Sequence, residues 1–164
     1  KIDFCKGNYV LYWMQTSQRV SYNHALTYSA ELANLLNLPL IVYFGITEDF
    51  PEANYRHYYF MLQGLAETEK ELKKRKIKLL VWINDPIAGL ESISQNAAVV
   101  VTDFGYLKIH SEWRNKALNI INKRFIAIES CRSTLSLSSG TLNVPRIVPP
   151  ERAIPAVSLF DNFR

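Results

Sequence analysis

A chain of 164 residues with 48% hydrophobic and 21% charged side chains can bury one sizeable core and has the composition of a single globular domain. No apolar run approaches the ~18 residues that span a bilayer, and the opening KIDFCKGNYVLYW lacks a long apolar segment ending in a small-residue cleavage site, so a cytoplasmic protein without a membrane partner is expected. The net charge of +4 is local: KELKKRKIK at 70 to 78 holds six basic residues and one acid, giving +5, and the remaining 13 basic and 14 acidic residues sum to −1.

Strand and helix patterns alternate along the chain. YVLYWM (9 to 14) is apolar, aromatic and β-branched, as a strand covered on both faces should be. Ala25, Leu26, Ser29, Ala30, Ala33 and Leu36 recur at helical spacing until Pro39 closes the helix. PLIVYFGI (39 to 46) is a second strand. After the irregular TEDFPEAN, residues Tyr58, Met61, Leu62, Leu65 and Leu72 mark one face of a long helix that ends in the basic run. IKLLVWI (77 to 83) is the third strand. Asn84-Asp85-Pro86 then offers a capping side chain followed by proline at the first helical position, where its missing N–H does no harm. AAVVVT (97 to 102) is the fourth strand, Ser111 can cap a helix carrying Trp113, Ala117, Ile120 and Ile121, and FIAIE (125 to 129) is the fifth.

Strands separated by helical segments of this length predict right-handed βαβ units and a doubly wound, five-stranded parallel sheet of α/β class, Rossmann-like, in the order 3-2-1-4-5. The pattern covers residues 1 to 130. Residues 131 to 164, rich in Ser and Pro and without helical period, read as a tail or linker. Cys5 and Cys131 lie far apart without ligand-like neighbours, which predicts reduced thiols, no disulfide framework and no metal site.

In such a sheet the ligand crevice lies beyond the carboxyl ends of the strands, where the winding reverses between the first and fourth. The loops there are QTSQRV (15 to 20) and DFGYLK (103 to 108), which puts Asp103 at the mouth of the crevice facing solvent or ligand. The same aspartate could instead organise its loop as a turn or capping residue, and both readings stand. No G-x-G-x-x-G follows the first strand and no G-x-x-x-x-G-K-[ST] occurs, so a dinucleotide or triphosphate cradled by backbone N–H groups is not expected. Nor is there a G-x-S-x-G, an H-x-x-x-H or a Cys with a nearby His. His24, His57 and His110 fall on helices or at a helix start and read as solvated or core-edge groups, and no catalytic residue is assigned. The basic run is either a solvated helix end whose cations suit the macrodipole or a weak phosphate contact for DNA.

Three stretches resemble the N-terminal domain of the DNA photolyase and cryptochrome superfamily, above all the class II cyclobutane-pyrimidine-dimer photolyases. LYWMQTSQRVSYNHAL is similar to that family's first strand and following loop, YRHYYFMLQGLAETEKEL to its second helix, and VVVTDFGYLKIHSEW to its fourth strand and loop; the three are collinear. The resemblance implies a domain that binds a light-harvesting antenna chromophore, a deazaflavin first and otherwise a flavin or folate. The ligands it implies lie in the loops after strands one, two and four and at the start of the second helix: Gln15, Arg19, Phe44, Gly45, Arg56, His57, Asp103 and Phe104. Phe44 and Phe104 would stack on a planar ring, Gly45 would admit close backbone approach, and Arg56 would pair with an anionic group. The family's FAD, lesion pocket and tryptophan chain belong to a large helical domain. The resemblance therefore implies no FAD site within these residues, no repair by them alone, and an FAD-binding domain as partner in cis or in trans. A stand-alone nucleotide-binding or interaction protein with the same fold is the alternative.

Overall fold

The computed structural model describes residues 6–129; Cys5, Cys131 and the expected tail at 131 to 164 lie outside them. Strands β1 (Tyr9–Trp13), β2 (Leu40–Ile46), β3 (Lys78–Ile83), β4 (Ala97–Asp103) and β5 (Arg124–Ile128) alternate with helices α1 (His24–Leu36), α2 (Tyr55–Lys74), α3 (Pro86–Ser94) and α4 (Lys108–Ile120). All four strand pairings are parallel and the order is β3-β2-β1-β4-β5, as the alternation predicts.

Strand periodicity divides the core into two layers. Val10, Tyr12 and Met14 of β1 and its extension face α1 and α2, joining Leu26, Leu32, Leu65 and Leu72. Tyr9, Leu11 and Trp13 face the other way, toward Leu90 and Ile93 of α3 and Ala117 of α4. The central strands β1 and β4 are buried along their whole length, which is why their sequences are continuous apolar runs rather than alternating ones.

Side chains set three of the four helix starts. Asn23 and Asn54 accept from the third residue of α1 and α2, and the His57 ring returns the favour to the Asn54 N–H in a capping box. Asp85 caps α3 at Ile87 N, 2.8 Å away, with Pro86 at the first helical position. Helix α4 departs from expectation. It starts at Lys108 rather than after Ser111, its cap position is Leu107 with no side-chain bond, and Ser111 N donates to Leu107 O inside the first turn. His110 and Trp113 are thereby placed one turn apart on a single helical face.

Candidate ligand-binding site

Beyond the carboxyl ends of β1 and β2 lies a cavity of about 490 Å³. The ends of these strands give it Trp13, Met14, Phe44, Gly45 and Ile46; the β1–α1 loop gives Gln15, Thr16 and Gln18; the β2–α2 loop gives Phe50; α2 gives His57, Tyr58, Phe60 and Met61; and α4 gives His110 and Trp113. Among the described residues, none of the lining side chains is an Asp, Glu, Lys or Arg. The hollow is apolar and aromatic with a few neutral polar groups, the composition expected of a small-molecule site of this size.

Asp103 explains why one wall is rigid. The expectation of a carboxylate facing solvent or ligand is corrected: Asp103 is fully buried and accepts from Gln15 N, Thr16 N and Ser17 N, each at 2.7 Å, and from the Thr16 hydroxyl. A charge at the end of a buried strand is tolerable when preorganised donors surround it. Thr102, equally buried, donates to Trp13 O at 2.9 Å and accepts from Gln15 Nε2 at 3.3 Å. Asn23 completes the loop by donating to Ser17 O and Arg19 O, 3.0 Å each. Together with burial, the Asp103 charge pushes the Tyr12 hydroxyl well above its ordinary pKa.

A second part of the lining is made of rings. Phe50 packs against His110 at 5.9 Å and Trp113 at 6.2 Å between centroids, and His110 lies 5.8 Å from Trp113. His110 is 5% exposed, and burial lowers its pKa; the Arg114 cation lowers it further and Asp103 opposes both. Its Nδ1 and the Oε1 of Gln15 are buried without a hydrogen-bond partner. Ser17 Oγ is a third such atom among the described residues, and all three are shut off from solvent.

Of the eight residues singled out from sequence, Gln15, Phe44, Gly45 and His57 line the cavity and the others do not. Arg19 is exposed and its guanidinium donates to Tyr22 O at 3.3 Å. Arg56 points to solvent from the first turn of α2. Phe104 lies under the Arg114 guanidinium, 4.2 Å from ring centroid to Cζ, and Arg114 in turn donates to Gly105 O at 2.7 Å. Gly45 does permit a close approach, but of protein: a Cβ there would come within 2.5 Å of Pro86 Cβ and 2.7 Å of its Cα. Among the lining residues that sequence reasoning passed over are His110, Trp113, Phe50 and Trp13. The only signal for the first two was their three-residue spacing, which the misplaced helix start concealed.

The model of the DNA photolyase family matches residues 10–151. The deoxyribodipyrimidine photo-lyase of Methanothermobacter thermautotrophicus is 46% identical over 125 residues, 76% of this chain but 28% of that protein; the chain thus spans under a third of the relative's length. Among solved structures, the photolyase of Sulfolobus tokodaii, determined with two FAD molecules and described as implying a novel light-harvesting cofactor, superposes with a TM-score of 0.65 at 16% identity. It covers 73% of this chain and 29% of its own. A universal stress protein of Archaeoglobus fulgidus in complex with dAMP shares the fold at a TM-score of 0.50 and 12% identity, over 74% of this chain and 98% of its own.

Proposed function

The chain belongs to the DNA photolyase family, and we propose that its α/β domain holds a light-harvesting chromophore of the deazaflavin class in the cavity beyond β1 and β2. The supporting observation is the lining itself: several aromatic rings, a few neutral polar side chains and, among the described residues, no charged side chain. Trp13, Phe44, Phe50 and Trp113 suit a planar heterocycle, whose faces gain from ring contacts and whose heteroatoms would meet Gln15, Thr16, His57 and His110. With no cation among the described lining residues, the site suits a ring system with a hydroxylated tail better than a phosphate, which these residues would leave unpaired. A dinucleotide such as FAD fits this site poorly for the same reason.

When bound, such a chromophore absorbs near-UV or blue light and passes the excitation to a flavin held elsewhere. The protein's part is positional. The Asp103-clamped loop fixes one part of the ring's seat, and the Phe50, His110 and Trp113 rings form another and exclude water. Bond chemistry on DNA falls to the portion of the family fold beyond these residues, an FAD-binding domain in cis or in trans. The nucleotide-binding alternative draws no support from the universal stress protein, whose likeness at 12% identity is one of fold.

Reconstitution tests the reading. The protein should take up a deazaflavin carrying a ribityl tail, quenching the fluorescence of Trp13 and Trp113, and should bind flavin mononucleotide at least tenfold more weakly because its phosphate finds no partner. Failure to retain any deazaflavin, flavin or folate, or a preference for the phosphorylated ligand, would overturn it.

A further inference from the structure

Five glycines lie among the described residues, and four of them are explained by their protein neighbours. A Cβ at Gly7, Gly45, Gly89 and Gly105 would collide with Ala98, with Pro86, with the Tyr43 and Trp82 side chains, and with His110, respectively. Gly64 differs. It sits in the interior of α2, where glycine is the poorest helix former after proline. None of these glycines has a positive φ, so the backbone does not require Gly64, and a Cβ there would meet nothing within 4 Å among the described residues. Neither conformation nor packing accounts for the missing side chain.

Its place in the cavity does. Gly64 belongs to the lining, and so do His57, Phe60 and Met61, the residues seven, four and three positions before it. That spacing keeps them on one face of α2 and carries the lining about 10 Å along the helix axis. One turn beyond Gly64, the Thr68 hydroxyl donates to Gln18 O at 3.0 Å, which holds the β1–α1 loop against α2. Gln18 lines the cavity as well. The bare backbone at Gly64 thus gives the cavity added depth on the side where Gln18 approaches α2.

We infer that Gly64 is a specificity-determining residue, reserving room for the hydroxylated tail of the ligand against the backbone of α2. The inference rests on the chromophore reading and names the part of the ligand that this face of the site selects. Two observations favour a chain here over a ring. Phe60 is 78% exposed and stands at the rim, and the rings suited to stacking, Trp13, Phe44, Phe50 and Trp113, all come from other elements. Gln18 Nε2 donates to Gln15 O at 3.4 Å, while among the described residues its Oε1 accepts no hydrogen bond and is open to a hydroxyl donor.

The test uses the full 164-residue chain and two deazaflavins with the same ring, one carrying a ribityl tail and the other a methyl group in its place. Gly64→Ala should raise the midpoint of thermal unfolding by about 2–4 °C, because alanine is the better helix former and meets no neighbour. Ligand fluorescence anisotropy should show affinity for the ribityl compound falling about fivefold in G64A and about fiftyfold in Gly64→Leu, with the methyl compound held within about twofold in both, as overpacking of the tail's space predicts. A gain in stability with a loss of affinity cannot come from misfolding. Wild type binding the methyl compound as tightly as the ribityl one, or variants that keep wild-type affinity for the ribityl compound, would overturn the inference and leave the chromophore reading standing. Equal loss of both compounds in the variants would overturn it too, by putting the ring over Gly64. Wild type that binds neither compound would overturn the chromophore reading and this inference with it.

Discussion

The loops that follow β1 and β2 leave neighbouring strands at the same end of the sheet, yet they are held by different physics. Residues 15 to 17 are fixed by a buried carboxylate that accepts from three backbone N–H groups and a hydroxyl. Residues 47 to 54 are tied mainly by the Tyr58 hydroxyl, shared between Thr47 O at 2.6 Å and Glu48 O at 3.0 Å, and by Phe50 resting on the rings of α4. Charge-assisted hydrogen bonds are directional and leave one geometry; ring contacts tolerate sliding at little cost. The cavity thus has one wall that specifies and one that accommodates.

The comparison breaks most sharply at Asp103. Replacing Asp103 by Ala strips three buried N–H groups of a charged acceptor, and urea unfolding should register a loss of about 4 kcal/mol. A loss below 1 kcal/mol would mean that the first wall is not held as described. Gly45→Ala should cost about 2 kcal/mol through overpacking against Pro86, with deazaflavin affinity kept within about threefold, since the glycine serves helix α3 rather than the ligand. On the second wall, half-buried Phe50 contributes little to folding. Phe50→Ala should cost no more than about 1 kcal/mol of stability, because the ring is only partly removed from water, and weaken deazaflavin binding about tenfold. Equal effects of D103A and F50A on stability would erase the distinction between the walls.

What sequence could convey follows the same division. The sheet order, the crevice and the Asp85-Pro86 start of α3 follow from local pattern, because buried parallel strands and capped helices leave periodic and compositional marks. Asp103 was visible as a charge ending an apolar strand. That it could organise a loop was legible too, but which loop was not, because its partners are backbone N–H groups more than 80 residues earlier, and backbone donors leave no trace in residue identity. Arg19, Arg56 and Phe104 have chemistry suited to a ligand but sit where the chain turns them outward or onto Arg114. His110 and Trp113 went unrecognised because α4 begins without a capping side chain, so that Ser111 looked like its start.

The smallest effect concerns that histidine and separates the walls by pH. Burial makes the native His110 harder to protonate than the same residue in the unfolded chain, so acid favours unfolding. Its contribution to stability is intact above the ordinary imidazole pKa of about 6.5 and is lost as pH falls from there toward the lowered native value. His110→Gln cannot take up the proton. Wild type should therefore lose stability relative to H110Q between about pH 7 and pH 5, by a fraction of the ~1.4 kcal/mol per pH unit that one full proton would give. Guanidinium melts of the two proteins across that range read the difference directly. Parallel profiles would show that the ring wall leaves His110 open to water, and a wild type that gains on H110Q in acid would show that the Asp103 charge outweighs burial.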